Sequence, residues 1–444
     1  MGFRSNIFLL MVLFNFLPLF ALYRAVRLWS GSKSRQKILV ALALFILAFN
    51  VPISVFWIRS LYPYLYDLSP STLRVIFFPA LAWQTTALLF TLFLGPVYII
   101  WGAGAAARKV IKRKLETPQA ASPPRAAAIS RRGFLTSGAG LLVPAVFGFS
   151  AFKLQDSMAD VDISRVLSIP IPHLPRSFDG MTIVQLSDLH VGPYIRQKEL
   201  EYWVSLTNQL RPDLVVLTGD VIDRSLLSLP EAIKGLTGLR STLGVLAVMG
   251  NHDIASDRYS SRGDFLGGER IADGMKGIGI RTLRNEVTFL NSGQDRLAIM
   301  GLDWITSNNL NPAVPGGPGF FNYHSAETRR ELNRMAAQIP PETPKILLAH
   351  HPDTFSDTSP LEIGLTLSGH THGGGQVVLF NWNGAPVGLS SARFKYASGL
   401  YRENGCSLYV NRGLGYLGVP IRINCPPEIS QFRLTRPNLP EQVG

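Results

Sequence analysis

A chain of 444 residues is long enough for two or three folding units, and 47% hydrophobic residues indicate that one of them is not water-soluble. The net charge of +13 invites a nucleic-acid reading, but 17 Lys and Arg lie in residues 1–153 against only Asp67 and Glu116, leaving 26 basic and 28 acidic residues in the remainder. The basicity thus belongs to the apolar half, and nucleic acid is excluded as a partner. Two cysteines, Cys406 and Cys425, are too few for a disulfide framework and have no metal-binding spacing; one disulfide or two separate buried thiols both remain open.

Residues 7–23 and 38–58 are uncharged and near the roughly 20 residues that a bilayer-spanning helix needs. Residues 75–104 form a longer apolar run with Pro79 and Pro96, which one tilted or kinked helix accommodates more easily than two helices and a turn. A fourth, Gly- and Ala-rich run covers 133–152. The expected arrangement is therefore an all-α transmembrane region of about four helices over 1–153, a connector over 154–178 and a globular domain over 179–444.

Loop charges orient these spans, because Lys and Arg accumulate on the cytoplasmic side. The first and third loops are strongly basic, whereas the second carries only Arg59, Asp67 and Arg74. The N-terminus is expected outside, the basic Pro/Ala linker 105–132 in the cytoplasm, and everything after the fourth span outside the cytoplasmic membrane. In that linker the string "SRRGFL" begins; with Arg131 and Arg132 it resembles the signal of twin-arginine export substrates, which would make the twin-arginine translocation machinery a partner. The pair also fits a simple topological charge at the foot of the helix.

From Met181 onward, short β-rich runs end in polar residues. "MTIVQLSDLH" closes on Asp188 and His190, "DLVVLTGDVID" on Asp220, "LGVLAVMGNHD" on Asn251, His252 and Asp253, "PKILLAHHPD" on His350 and His351, and "IGLTLSGHTHGGGQ" on His370 and His372. Helical segments lie between several of them, notably 197–209 and 325–337, so the domain is expected to be α/β with its polar groups gathered at strand ends. Singly, each motif reads as a turn, a helix cap or a hydrogen-bonded histidine. Together, buried carboxylates and imidazoles at one sheet edge need a compensating partner, and a metal pair is the natural one. Mixed His, Asp and Asn sites without Cys suit Mn, Fe or Zn. Two such ions can hold a hydroxide between them and clamp both oxygens of an in-line phosphoryl displacement.

The five strings "DLH", "GD", "GNHD", "HHPD" and "GHTHGGGQ" together resemble the calcineurin-like metallophosphoesterase superfamily over residues 178–432. The later strings "SGLYRENGCSLYVNRGLG" and "PIRINCPPEI" resemble its bacterial membrane-associated branch. The resemblance implies a four-layer αββα sandwich of two mixed β-sheets with helices outside. It implies a first metal held by Asp188, His190 and His372, a bridging Asp220, and a second metal held by Asn251, His350 and His370. His252 would not be a ligand but would stabilise phosphoryl charge or protonate the leaving oxygen, with Asp253 fixing its tautomer. Asp223 and Asp353 would support the ligands, and the family pattern favours His350 over His351. The branch commonly has two glycines after the second His, whereas Gly373, Gly374 and Gly375 precede Gln376 here, which leaves the place of Gln376 open.

The expected function is a membrane-anchored hydrolase of phosphodiesters or lipid-linked phosphates, using in-line attack by a metal-bridging hydroxide. Membrane lipid and a phosphate-ester substrate are its expected partners. The loops 256–275 and 308–323 are placed either to wall the substrate or to be plain surface loops. One rival reading keeps the enzyme but turns it to the cytoplasm as a pyrophosphatase of UDP-diacylglucosamine-type lipids. Another makes the helices a transporter or sensor with a phosphate-binding module, against which stands the lack of ionisable residues inside the spans.

Overall fold

Strands that are buried at every position, such as Leu214–Thr218 and Val245–Val248, must be covered on both faces. The computed structural model meets that demand with stacked sheets; it describes residues 13–29, 35–57, 62–115, 142–152, 161–223, 225–254, 256, 267–305, 325–382, 385–388, 391, 394–417, 420 and 422–437. The chain divides into two compact units, Met1–Gln155 and Asp156–Gly444.

In the second unit the strands are, in chain order, β1 (Asp162–Ile163), β2 (Leu167–Pro170), β3 (Thr182–Leu186), β4 (Leu214–Thr218), β5 (Val245–Val248) and β6 (Ile280–Thr282). Then come β7 (Glu286–Ser292), β8 (Asp295–Leu302), β9 (Lys345–Ala349) and β10 (Leu365–Ser368), a hairpin of β11 (Val378–Trp382) and β12 (Ala385–Gly388), and finally β13 (Gly399–Glu403), β14 (Cys406–Val410) and β15 (Glu428–Thr435). One sheet has the order β1-β15-β3-β4-β5-β6, with β2 also on β15; the other has the order β13-β14-β10-β9-β8-β7. Both are mixed. β3 to β6 run parallel while β15 is antiparallel to β3, and β8, β9, β10 and β14 run parallel between antiparallel edges.

Alternation along each strand decides what faces what. Leu214 and Val216 of β4 share one core with Leu297 and Ile299 of β8, Ile346 and Leu348 of β9, and Leu365 and Leu367 of β10, which is the layer between the sheets. The opposite face of β8 and β9, through Met300 and Leu347, packs under Leu332 and Met335 of the helix Ser325–Ala336. On β4 the alternate residues Val215 and Leu217 are equally buried. Helices Gln197–Gln209, Leu229–Leu236 and Gly267–Lys276 pack side by side and bury Trp203, Leu236 and Ile271.

Part of the stretch expected to be a connector, 154–178, is sheet: Asp162–Ile163 and Leu167–Pro170 both pair in parallel with β15, which supplies partners that a local reading cannot see. Cys406 and Cys425 are both buried and free, so no disulfide forms.

In the first unit, helices Phe16–Trp29, Arg35–Trp57 and Pro70–Leu115 pass through the expected spans, and the last of them runs unbroken through Pro79 and Pro96. Among the described residues, only Ser71–Ile100 is long and apolar enough to cross a membrane by itself; Gln36–Pro52 and Leu142–Phe152 are shorter apolar helices there. The beginning of the first expected span, 7–12, the start of the fourth, 133–141, and "SRRGFL" lie outside the described residues. Inside this unit the amides join across helices: Trp83 Nε1 donates to Asn15 Oδ1, and Gln84 Nε2 donates to Asn50 Oδ1 at 2.6 Å.

Phe432 of β15 meets Tyr409 of β14 edge to face, with centroids 5.0 Å apart, so the pair ties one sheet to the other. Phe432→Ala is expected to destabilise the second unit by about 3–5 kcal/mol, read as an earlier unfolding midpoint in denaturant.

Candidate metal centre

The five polar motifs come together because each follows the C-terminal end of a strand in the parallel part of its sheet. Asp188 and His190 follow β3, Asp220 follows β4, Asn251 to Asp253 follow β5, His350 follows β9, and His370 and His372 follow β10. To turn their side chains into one crevice, Asp188, His190, Asp220, His370 and His372 adopt left-handed backbone, with φ of 50°, 45°, 53°, 71° and 48°. Such conformations cost about 1–3 kcal/mol each and persist only where the surroundings enforce them. The glycines of the motifs allow the close approach. A Cβ on Gly250 would lie 2.1 Å from Asp220 Oδ1, and one on Gly369 would lie 2.2 Å from Asp188 Oδ2.

The donor atoms converge in three overlapping groups, Asp188–His190–His372, His190–Asp220–His252 and Asp188–Asp220–His350, each buried and each within 4.8 Å. His190 Nε2 and His372 Nε2 stand 2.9 Å apart, and Asp188 Oδ1 is 3.4 Å from the latter. His350 places Nδ1 2.7 Å from the Thr218 carbonyl, which can only accept, so Nδ1 carries the proton and Nε2 faces Asp220 Oδ2 at 3.2 Å. His370 Nδ1 lies 3.0 Å from Asn251 Oδ1, and its backbone N–H donates to Asp188. All seven residues expected as ligands are thus in one crevice.

The electrostatics call for positive charge in that crevice. Burial, reinforced by the Asp220 carboxylate, pushes Asp188 up to about 6. Burial acts to raise Asp220 too, but His350, His252 and His190 outweigh it and hold the group well below the usual range. Burial alone would lower His350, yet Asp220 and Asp188 lift it to about 9. Burial and neighbouring positive groups hold His370 and His372 well down, in the neutral form that ligates. Facing imidazole nitrogens beside shared carboxylates, with no cysteine, make a donor set that fits first-row divalent cations.

His252 differs from expectation. Its Nδ1 pairs with Asp223 Oδ1 at 3.0 Å, so Asp223 and not Asp253 fixes its tautomer. Asp253 is spent on main chain, accepting from Val221 N–H, Ile222 N–H and Gly250 N–H at 2.9, 3.1 and 3.0 Å. It is the next residue in sequence, but the turn directs its carboxylate away from the adjacent ring. Burial, with Asp220 nearby, raises Asp253 to about 7. His351 turns Nδ1 to accept from Asp353 N–H at 3.1 Å, which ties that nitrogen to its own turn while the ring packs on Trp304 and His370. Gln376 binds the main chain of Leu417, its Oε1 accepting from the N–H at 2.8 Å.

Two contributors carry no local signal. Trp304 contacts the rings of His350, His351 and His370. Arg422 lies buried behind His372, its Nη2 3.4 Å from His372 Nδ1. Of the expected substrate walls, 257–266 and 308–323 lie outside the described residues, whereas 267–275 is not loop but part of the helix Gly267–Lys276.

Paired carboxylates, imidazoles and one amide at the strand ends of two stacked sheets define a metal-dependent hydrolase. Residues 181–374 match the family described as calcineurin-like phosphoesterase, and the chain belongs to that family of metal-dependent phosphoric ester hydrolases, which use a dinuclear metal centre. It is 30% identical to a Bacillus subtilis (strain 168) protein named an uncharacterized metallophosphoesterase, over 69% of this chain and 93% of that one. It is 31% identical to a Danio rerio protein named transmembrane protein with metallophosphoesterase domain, over 66% of this chain and 60% of that one. A solved phosphopantetheinyl hydrolase from Mycobacterium tuberculosis is similar over 54% of this chain and 91% of its own, with 15% identity and a TM-score of 0.34.

The split between Asp223 and Asp253 separates two variants. Asp223→Asn is expected to lower kcat about 10- to 100-fold with an unchanged melting temperature, since only the ring's orientation is lost. Asp253→Ala leaves three buried N–H groups without an acceptor and is expected to lower the melting temperature first. Paired kinetics and thermal melts distinguish the two.

Proposed function

We propose that this chain is a membrane-tethered phosphoesterase that hydrolyses phosphodiesters or lipid-linked phosphates, with its catalytic unit outside the cytoplasm. The observation that carries the catalytic part is the sharing of Asp188 and Asp220 among buried imidazoles, with His252 and its Asp223 partner alongside. Asp188, His190 and His372 would hold one cation, Asn251, His350 and His370 the other, and Asp220 both. Bound Mn, Zn or Fe would supply Lewis acidity and make water a nucleophile at neutral pH.

The protein's own groups do the rest. Asp220 Oδ1 accepts the His252 backbone N–H at 2.8 Å, which fixes the imidazole relative to the bridging carboxylate. With Nδ1 given to Asp223, proton donation by His252 to the departing oxygen runs through Nε2. Asp220 and Asp188, which raise His350, make the crevice's field negative, so the bound cations would have to offset it before an anionic phosphate ester could enter.

The tether rests on the first unit, whose polarity is inverted relative to a water-soluble bundle. Leu44, Phe93 and Ile99 are 61%, 69% and 72% exposed while Asn15 and Gln84 are buried. Lipid is the solvent that such a surface suits, and interhelical amide bonds are a common glue there. The name of the Danio rerio relative also speaks of a transmembrane protein. Loop charges favour the outward orientation, and "SRRGFL" fits export of a folded domain by the twin-arginine machinery. A second reading requires only that the Gly- and Ala-rich fourth span, 133–152, be peripheral; the catalytic unit would then face the cytoplasm and a nucleotide-linked lipid pyrophosphate.

Metal-stripped protein resupplied with Mn or Zn is expected to regain hydrolysis of an aryl phosphodiester. Asp220→Asn should remove that activity and His252→Ala should lower it about 100- to 10,000-fold; metal-replete folded protein inert on every ester would overturn the assignment. Reporters fused after Gly444 and near Ser122 settle orientation, with full cytoplasmic-type activity at the C-terminus selecting the second reading. Changing Arg131 and Arg132 to Lys should block outward placement while the earlier helices still insert; undiminished export would leave the pair as a topological charge.

A further inference from the structure

We propose that Arg422 is a positioning residue for the half of the centre built on Asp188, His190 and His372, an inference that rests on the two-cation reading above. Its side chain is 2% exposed, and among the described residues it pairs with no carboxylate. The guanidinium donates to main-chain carbonyls instead: Nη1 to Arg412 at 3.1 Å and Cys425 at 3.3 Å, Nη2 to Gly413 at 2.9 Å and Gly415 at 2.5 Å, and Nε to Gly415 at 3.2 Å. A buried charge is strongly unfavourable without such compensation, so Arg422 gathers these peptide groups into one fixed arrangement.

Those peptide groups are the ones that press on metal-binding side chains. Gly415 N–H donates to the Asp188 carbonyl at 2.7 Å and Leu414 N–H to the Ser187 carbonyl at 3.0 Å. Gly413, with φ of +75°, lies so close that an added Cβ would stand 2.7 Å from Asp188 Cβ and 3.4 Å from His372 Nδ1. Cys425, whose carbonyl Arg422 also holds, donates its thiol to the His372 carbonyl at 3.4 Å. Arg422 therefore fixes the turn 412–415 and the segment behind His372 together. Among the described residues, its bonds do not reach Asn251, His350 or His370, which are held separately through Thr218 and by the contact of Asn251 with His370. A residue that merely stabilised the fold would weaken both halves alike; Arg422 acts on one.

The test is Mn2+ binding to the full-length protein in detergent, followed by calorimetry and electron paramagnetic resonance, with His190→Ala and Asn251→Ala as references for each half. Wild type is expected to bind two ions with a spin-coupled signal. Arg422→Met should weaken the first half about 10- to 100-fold, leave the second nearly unchanged and replace the coupled signal at limiting Mn2+ with that of an isolated ion. Arg422→Lys, which keeps the charge, should recover part of the loss. Wild-type affinity in Arg422→Met, or equal weakening of both halves, overturns the role. Should Arg422→Met fail to fold, Gly415→Ala, whose Cβ would press within 2.1 Å of the Leu189 carbonyl, must give the same one-sided loss, and an equal loss overturns the proposal. Wild type that binds fewer than two ions overturns the two-cation reading itself, and this inference with it.

Discussion

Asp188 and Asp220 sit buried in the same crevice, and the charge of Asp220 makes Asp188 harder to ionise. Holding two carboxylates there requires positive charge between and around them, and the imidazoles divide that task unequally. His350 is drawn toward its charged form, whereas His370 and His372 are held neutral. A crevice that compensates itself only in part is suited to divalent cations and then to a phosphate ester. The two sheets, their glycines and their left-handed turns are the means by which these groups are kept from moving apart.

Strand ends achieve this because a parallel sheet sends its successive carboxyl ends to one edge. β3, β4 and β5 deliver Asp188, Asp220 and Asn251 from one sheet, and β9 and β10 deliver His350 and His370 from the other. The interlayer core fixes the separation of the two edges. Contacts between the sets are then direct: the Asp188 carboxylate accepts from His370 N–H, and the buried Gln185 side chain donates to the Ser368 carbonyl. Rigidity of the sheets thus becomes geometry of the site.

The residues that gather in the crevice were legible in the sequence because each is marked locally, by an apolar run ending in polar residues. His350 could be preferred to His351 only through the family pattern; in space, the Thr218 carbonyl turns His350 inward and the Asp353 N–H ties Nδ1 of His351 to its own turn. The partner of His252 was misread because adjacency in the chain suggested Asp253, whereas the geometry of the turn presents Asp223, three residues beyond Asp220. The pairing of 162–170 with β15 could not be read, since its partner lies more than 250 residues away. Trp304 and Arg422 were silent for the same reason: nothing near them in sequence marks a site, and their neighbours are supplied by other strands.

The last segment of the chain makes the site a property of the whole unit. Residues 411–428 leave β14 in one sheet and return as β15 in the other, so the connection must cross the edge where the ligands gather. It crosses with its main chain against Asp188 and His372, at Gly413 and Gly415, where any side chain would collide. Asn411 fastens the crossing at its start, bonding the Ser368 carbonyl through its N–H and Ser430 through its amide, and Glu428 fastens its end on Arg412 and Ser430. These residues lie beyond 181–374, the part that carries the family motifs. The motifs place the expected ligands, but the connection that leads into β15 packs its main chain against two of them, Asp188 and His372.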